Sequence, residues 1–323
     1  MSGLGGEGAL VGYIIRRLAQ SLVVLLLVVF IMFVMFHLLP GNPARAELGV
    51  KAQPAAVAAF DKLNGFNRPI WYQFWLYLDH LAHGNLGYSY VQNATVAQLF
   101  VQRFPKTILL LGLATALSIL VAIPLGIFQA VRRNSVPDYL LTGGSFVLYS
   151  FPTFWLGIIL IEIFAISTHL LPPTAPEGNS VASILANWKG LVLPVLTLAL
   201  VNIASYSRYM RSSMIESLAQ DYIRTARAKG LTNRAILFRH ALRNSLIPMA
   251  TLIGLSVPAI LSGAVITESV FNYPGVGLLF VQSAYQEDFS VLLGLTLVAA
   301  VGVVIGNLIA DIGYAILDPR IRY

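Results

Sequence analysis

The sequence predicts an all-α, polytopic membrane protein of about six transmembrane helices, with the N and C termini on the cytoplasmic side. Three observations carry this. Of the 323 residues, 57% are hydrophobic and 11% charged, against about 45–50% and about 25% in soluble domains. Six apolar stretches approach the roughly 20 residues that a helix needs to cross the hydrocarbon core. The Lys and Arg residues, which give a net charge of +7, fall unevenly between those stretches, as bilayer orientation requires and nucleic-acid binding does not.

The stretches run, in order, from about Leu18 to Leu39, Ile108 to Val131, Tyr139 to Ile166, Leu191 to Tyr206, Leu246 to Thr267 and Phe289 to Leu317. The fourth is the shortest. Six crossings return the chain to the side where it began, and that side holds fourteen of the 21 basic residues. Positive charge marks the cytoplasm. Arg16 and Arg17 precede the first stretch, and Ala44-Arg45-Ala46 resembles a cleavage site. A secretory signal has an apolar region of only about 7 to 15 residues, so an uncleaved anchor is expected. The organisation expected is a cytoplasmic terminus and first helix over 1–40, an extracytoplasmic region over 41–106, a core of five helices over 107–318 and a short tail over 319–323. Within the outer region, Pro54 to Leu63 and Pro69 to His83 read as short helices, the second crowded with Trp71, Tyr72, Phe74, Trp75 and Tyr77. Such a helix suits either the membrane interface or a small cap with its own core.

The most informative segment is Arg208 to Arg243, over 208–245 with its flanks. Apart from Glu216 and Asp221 its charges are all positive. Asp221 is placed to cap a run from Tyr222 to Lys229, Gly230 to close it in the left-handed conformation, and Thr232 to start a second run through Ile236, Leu237 and His240. The expectation is a basic cytoplasmic helical hairpin, a docking surface.

Chemistry of other kinds is missing from the sequence. There is no cysteine and no G-x-x-x-x-G-K-[ST], since Lys229 precedes Gly230 and Lys106 follows Pro105. His37, His80, His83, His169 and His240 lack metal-site spacing, and no G-x-S-x-G elbow accompanies the serines. No enzyme, metal site or cofactor is expected in this chain. Polar groups inside the apolar stretches are Glu162, Asn202, Asn307 and Asp311, with Glu268 at the outer end of the fifth. Such groups face a bundle interior or a wet cavity. They either line a path for substrate or join helices to one another. Pro124, Pro152, Pro194, Pro248 and Pro258 are placed to bend or start helices, and Gly143-Gly144 with Ser145 permits close packing.

Several blocks resemble a known family. They are Leu39-Pro40-Gly41-Asn42-Pro43, Gly84-Asn85-Leu86-Gly87-Tyr88-Ser89, the run Asp221 to Leu231, Arg239 to Pro248, Glu268-Ser269-Val270-Phe271-Asn272-Tyr273-Pro274-Gly275-Val276-Gly277, and Asp318-Pro319-Arg320-Ile321-Arg322. Nearly end to end, the chain resembles the membrane-spanning permease subunits of binding-protein-dependent ABC importers, in particular the B-type subunit of dipeptide and oligopeptide permeases. The resemblance implies the type I ABC importer permease fold in a bacterial inner membrane. It implies half of a translocation path for di- or oligopeptides, with nickel complexes, glutathione or haem as other substrates of similar systems. The implied partners are a homologous second permease subunit, two ATP-binding subunits that carry ATP and Mg, and an extracytoplasmic peptide-binding protein. A self-contained carrier or channel is the alternative class.

The resemblance also assigns residues. ATPase coupling falls to Asp221, Tyr222, Arg224, Thr225, Ala226, Arg227, Lys229, Gly230, Leu231, Arg239 and His240. The hairpin is expected to seat on the ATPase through its Tyr222, Ile223 and Ala226 face. Candidates for the path are Asn202, Glu268, Asn307 and Asp311, and for binding-protein docking Asn85, Phe271, Tyr273, Pro274 and Gly275. The family pattern E-A-A-x-x-x-G with a following I-x-L-P is altered here. Arg224, Thr225 and Ala226 occupy the first three positions before Gly230, and His240, Ala241, Leu242 and Arg243 the later ones. Asn42 and Asn85 stand where Asp is usual.

Overall fold

A computed structural model describes residues 4–38, 43–49, 52–178, 180–254 and 264–317. It is mostly helical. Helix α1 (Leu4–Leu38) is followed by α2 (Pro43–Leu48), α3 (Pro54–Asn64) and α4 (Ile70–Ala82), and then by a two-stranded hairpin, β1 (Tyr88–Ser89) against β2 (Ala94–Thr95). Its antiparallel register pairs Tyr88 with Thr95 and Ser89 with Ala94. Then come α5 (Val96–Val131), α6 (Val136–Ser150), α7 (Thr153–Ile161, extended by a π-helical turn to Ser167), α8 (Val181–Ala186) and α9 (Lys189–Leu218). They lead to α10 (Asp221–Ala228), α11 (Asn233–Ala235, running through a π-helical turn into α12, Leu242–Gly254), α13 (Val265–Val270), α14 (Val276–Tyr285) and α15 (Phe289–Leu317).

Among the described residues, four helices are long and apolar enough to cross a membrane: Arg16–Met35 within α1, Val96–Val131, Lys189–Leu218 and Phe289–Leu308 within α15. The third expected span, Tyr139 to Ile166, is not one straight helix. It is broken between Ser150 and Thr153 into a pair bent by 102°. Pro152 supplies no N–H and disfavours helical geometry at the residue before it; Phe151 accordingly sits in extended backbone, at φ −75° and ψ 134°. The fourth span, predicted to be the shortest, is instead 30 residues long. It continues past Tyr206 through Arg208 and Arg211, so these two arginines belong to a long helix and not to a hairpin. The fifth, Leu246 to Thr267, lies partly outside the described residues, as do Pro258, Asn42 and the block from Asp318 to Arg322.

Local chemistry explains the ends. Thr95 and Gln98 form a reciprocal capping box at the start of α5, with bonds of 3.2 and 3.1 Å, which satisfies two otherwise orphaned donors. Asp288 accepts from the Val291 N–H at 3.2 Å and from the Ser89 hydroxyl, tying the start of α15 to the β1–β2 hairpin. Helix α5 packs along α9 so closely that a Cβ on Gly126 would lie 2.6 Å from that of Met210. The aromatic α4 divides its faces: Phe74 stacks edge-on with Phe30 and Phe33 of α1 at 5.1 and 5.3 Å, while Trp71 and Trp75 stay exposed. One face of that helix thus packs on α1 and the other is open.

Candidate functional site

The basic segment folds into an elbow whose corner is Gly230. Its φ of +76° is left-handed, a conformation that glycine adopts without steric cost. The Gly230 N–H donates to the Arg227 carbonyl at 2.9 Å, and the Leu231 N–H to that of Ala226 at 3.3 Å. This is the two-bond Schellman ending of a helix. Thr232 then caps the next run, its hydroxyl accepting from the Ala235 N–H at 3.3 Å. Asp221 does not cap. Gln220 takes the N-cap backbone position, which leaves Asp221 in the first turn, where its charge suits the helix dipole and meets Arg224 at 3.0 Å on the surface.

The elbow is sewn to the chain's own body. Ile223 is fully buried and Ala226 nearly so, in a cluster with Met210, Met214, Ile236, Ala241 and Met249. The Ser217 hydroxyl shares a 2.6 Å bond with that of Tyr222 and reaches the Ala241 carbonyl at 3.1 Å. Ser213 and Ser245 exchange hydroxyl-to-carbonyl bonds of 3.2 and 3.1 Å between α9 and α12. This corrects the expected docking face. Ile223 and Ala226 point inward and hold the elbow in place, and the outward face consists of Tyr222, Arg224, Thr225, Arg227, Lys229, Leu231 and Arg239, with His240 half-buried beside it.

Two other arginines of the segment are spent inside the subunit. Arg211 of α9 donates two hydrogen bonds of 2.7 Å to the fully buried Asp138 at the start of α6. Arg208 lies over the rings of Phe146 and Tyr149 at 4.8 Å from each, a cation–π contact. Sequence reasoning missed Asp138. Its one signal was an acid in a first turn, just after Pro137, beside the apolar stretch that it opens.

After the fifth apolar stretch, the block from Glu268 to Gly277 turns out to be an internal clamp. Glu268, Phe271 and Tyr273 are completely buried. Glu268 accepts from the Thr107 hydroxyl at 2.8 Å and the Leu278 N–H at 3.0 Å. Thr107 in turn accepts from the Val276 N–H at 2.9 Å, and the Tyr273 hydroxyl donates to the Lys106 carbonyl at 2.6 Å. Burial pushes the Glu268 carboxyl above its ordinary range despite those donors, and burial with the nearby Glu268 charge raises the Tyr273 phenol. Phe271 and Tyr273 are thus not docking residues, because no surface of theirs reaches a partner. Gly275 is buried against the Glu268 carboxyl, where a side chain would not fit. Pro274 is half-buried, while Asn85 is exposed and accepts from the Gly87 N–H at 3.0 Å in its own turn.

The path candidates do not form one set. Glu268 is committed to the clamp, and Asn202 is half-buried on α9. Asn307 is exposed on a groove between α1 and α15; Asp311 follows on α15, its side chain outside the described residues.

Comparison with known proteins decides what this framework is. Residues 122–323 match the family described as the binding-protein-dependent transport system inner membrane component, and residues 10–111 match its N-terminal family. The chain is a permease of that family. It is 41% identical over 313 residues to an oligopeptide transport system permease protein of Bacillus subtilis (96% of this chain, 99% of the relative). It is 37% identical to a peptide permease protein of Brucella ovis (96% and 98%) and 34% identical to a glutathione transport system permease protein of Salmonella paratyphi A (97% and 100%). The permease is therefore an inner-membrane component of a larger transport system, and its part is non-enzymatic. The altered family pattern has a geometric reading: Arg224 stands exposed where the pattern has Glu, and Ala226, at the second Ala, is the buried contact that seats α10.

Proposed function

We propose that this permease forms half of the translocation path of an ATP-driven importer of di- or oligopeptides, beside a homologous second permease subunit. An extracytoplasmic peptide-binding protein delivers the substrate, and two ATP-binding subunits on the cytoplasmic side drive the cycle. The observation that carries the coupling role is the elbow, a rigid corner buried on its own underside with a basic rim facing outward. A push on Arg224, Arg227 or Lys229 passes through Ile223 and Ala226 into α9 and α12, because a packed cluster moves as a unit. Asn85, Asn272 and Pro274 supply the outward surface at the opposite end, where the binding protein docks. The similarity to an oligopeptide permease over nearly the full length supports the peptide substrate. The glutathione permease among the relatives keeps that tripeptide as a second reading.

The test is purification from native membranes followed by reconstitution. A peptide importer copurifies with a second permease and ATP-binding chains, and takes up labelled peptide only with ATP and binding protein present. Uptake by this chain alone would identify a self-contained carrier. Competition with unlabelled glutathione separates the two substrate readings.

A further inference from the structure

Helices α1 and α15 run antiparallel. The Phe33–His37 end of α1 carries α4, and the first turn of α15 is tied to the β1–β2 hairpin through Asp288 and Ser89. Between them lies a groove of about 980 Å³. One end is polar, with Arg16, Arg17, Gln20 and Asn307; the rest is mostly apolar, with Val24, Val28, Ala300 and Val303, and carries the hydroxyls of Ser21 and Thr296.

The groove extends over Arg16 to Val28 on α1 and over Thr296 to Leu308 on α15. The twelve steps from end to end, at 1.5 Å rise each, make about 18 Å, close to the roughly 15 Å of one leaflet of a ~30 Å hydrocarbon core. A helix of a partner subunit would need an apolar face along both leaflets. This groove offers one leaflet's depth and ends at two guanidinium groups, the geometry and charge of a headgroup and acyl chain. We propose that it holds one anionic glycerophospholipid of the leaflet on the Arg16 side, phosphate at the Arg16–Arg17 end and an acyl chain along Val24, Val28 and Ala300. Arginine suits phosphate through its planar fork of donors. The lipid fills the space between the first and last helices and fixes their separation.

The test uses the complete transporter purified with its partner chains. After extended detergent washing, native mass spectrometry should find one anionic phospholipid retained per copy of this chain. Ala300→Phe, which fills the groove, and Arg16→Gln should each reduce retention several-fold with subunit assembly intact, whereas Arg16→Lys should keep most of it. Adding phosphatidylglycerol to phosphatidylcholine nanodiscs should raise the melting temperature of the wild type and not of Ala300→Phe. Equal retention in wild type and Ala300→Phe, retention of zwitterionic lipid alone, or equal loss in Arg16→Lys and Arg16→Gln would overturn the proposal. So would efficient crosslinking of Val24→Cys to the second permease subunit, which would put a protein helix in the groove.

Discussion

Arg211 grips Asp138 through two 2.7 Å hydrogen bonds, joining the long helix α9 to the first turn of α6. Asp138 also accepts from the Asn134 N–H at 2.9 Å, so the pair fixes the loop after α5 as well. Removing one partner of a buried pair strands the other charge, at a cost of about 3–5 kcal/mol. Asp138→Asn keeps the shape and loses the charge. It is expected to lower the thermal stability of the purified assembly strongly, and Asp138→Asn with Arg211→Met should recover part of the loss. A melting temperature unchanged in the single variant would refute this.

Thr107 is the hinge pin of the internal clamp, donating to Glu268 and accepting from the Val276 N–H. Thr107→Val removes both bonds at nearly constant volume. An orphaned buried donor costs about 1–3 kcal/mol, so a destabilisation in that range is expected from thermal unfolding, with Thr107→Ser close to wild type. Equal behaviour of the two variants would mean that the hydroxyl is idle.

The buried Glu268 also gives stability a pH dependence. Its folded-state pKa is raised by burial, above the unfolded value of about 4.3. The folded chain then binds more protons than the unfolded one between those values. Its stabilising share is complete below the unfolded pKa and declines as pH rises through the folded one. Glu268→Gln, neutral throughout, should flatten the fall in melting temperature as pH rises from about 4.3. Asp288, also raised by burial, is common to both chains and cancels in the comparison. A slope identical to wild type would exclude the effect.

At Gly230 the constraint is conformational and not steric, since a Cβ there meets nothing within 4 Å. A left-handed residue with a side chain costs about 1–2 kcal/mol, and a β-branched one is an outlier. Gly230→Val should reshape the corner and, on the coupling role proposed above, lower uptake relative to ATP hydrolysis in the reconstituted system. Gly230→Asn, which tolerates this geometry better, should fall between. Full uptake by a normally expressed Gly230→Val protein would count against the elbow as the coupling element.

Much of this molecule is written in local sequence. Apolar length announced the four long apolar helices and the bent pair, Gly230 and Thr232 announced their turn and cap through the backbone geometry they favour, and the family blocks named the framework. Periodicity and caps are properties of neighbouring residues, so a linear reading reaches them. Which face of α10 is buried, that Phe271, Tyr273 and Glu268 close an inner clamp, and that Arg211 belongs to Asp138 are decided between residues far apart in the chain. Pro152 announced a bend but not its 102°, because its angle depends on what α6 and α7 pack against. The sequence by itself determined a helical membrane permease with a basic corner. Only the tertiary structure decided which of its charged and aromatic side chains face a partner and which hold the subunit together, because burial is a property of packing and not of residue type.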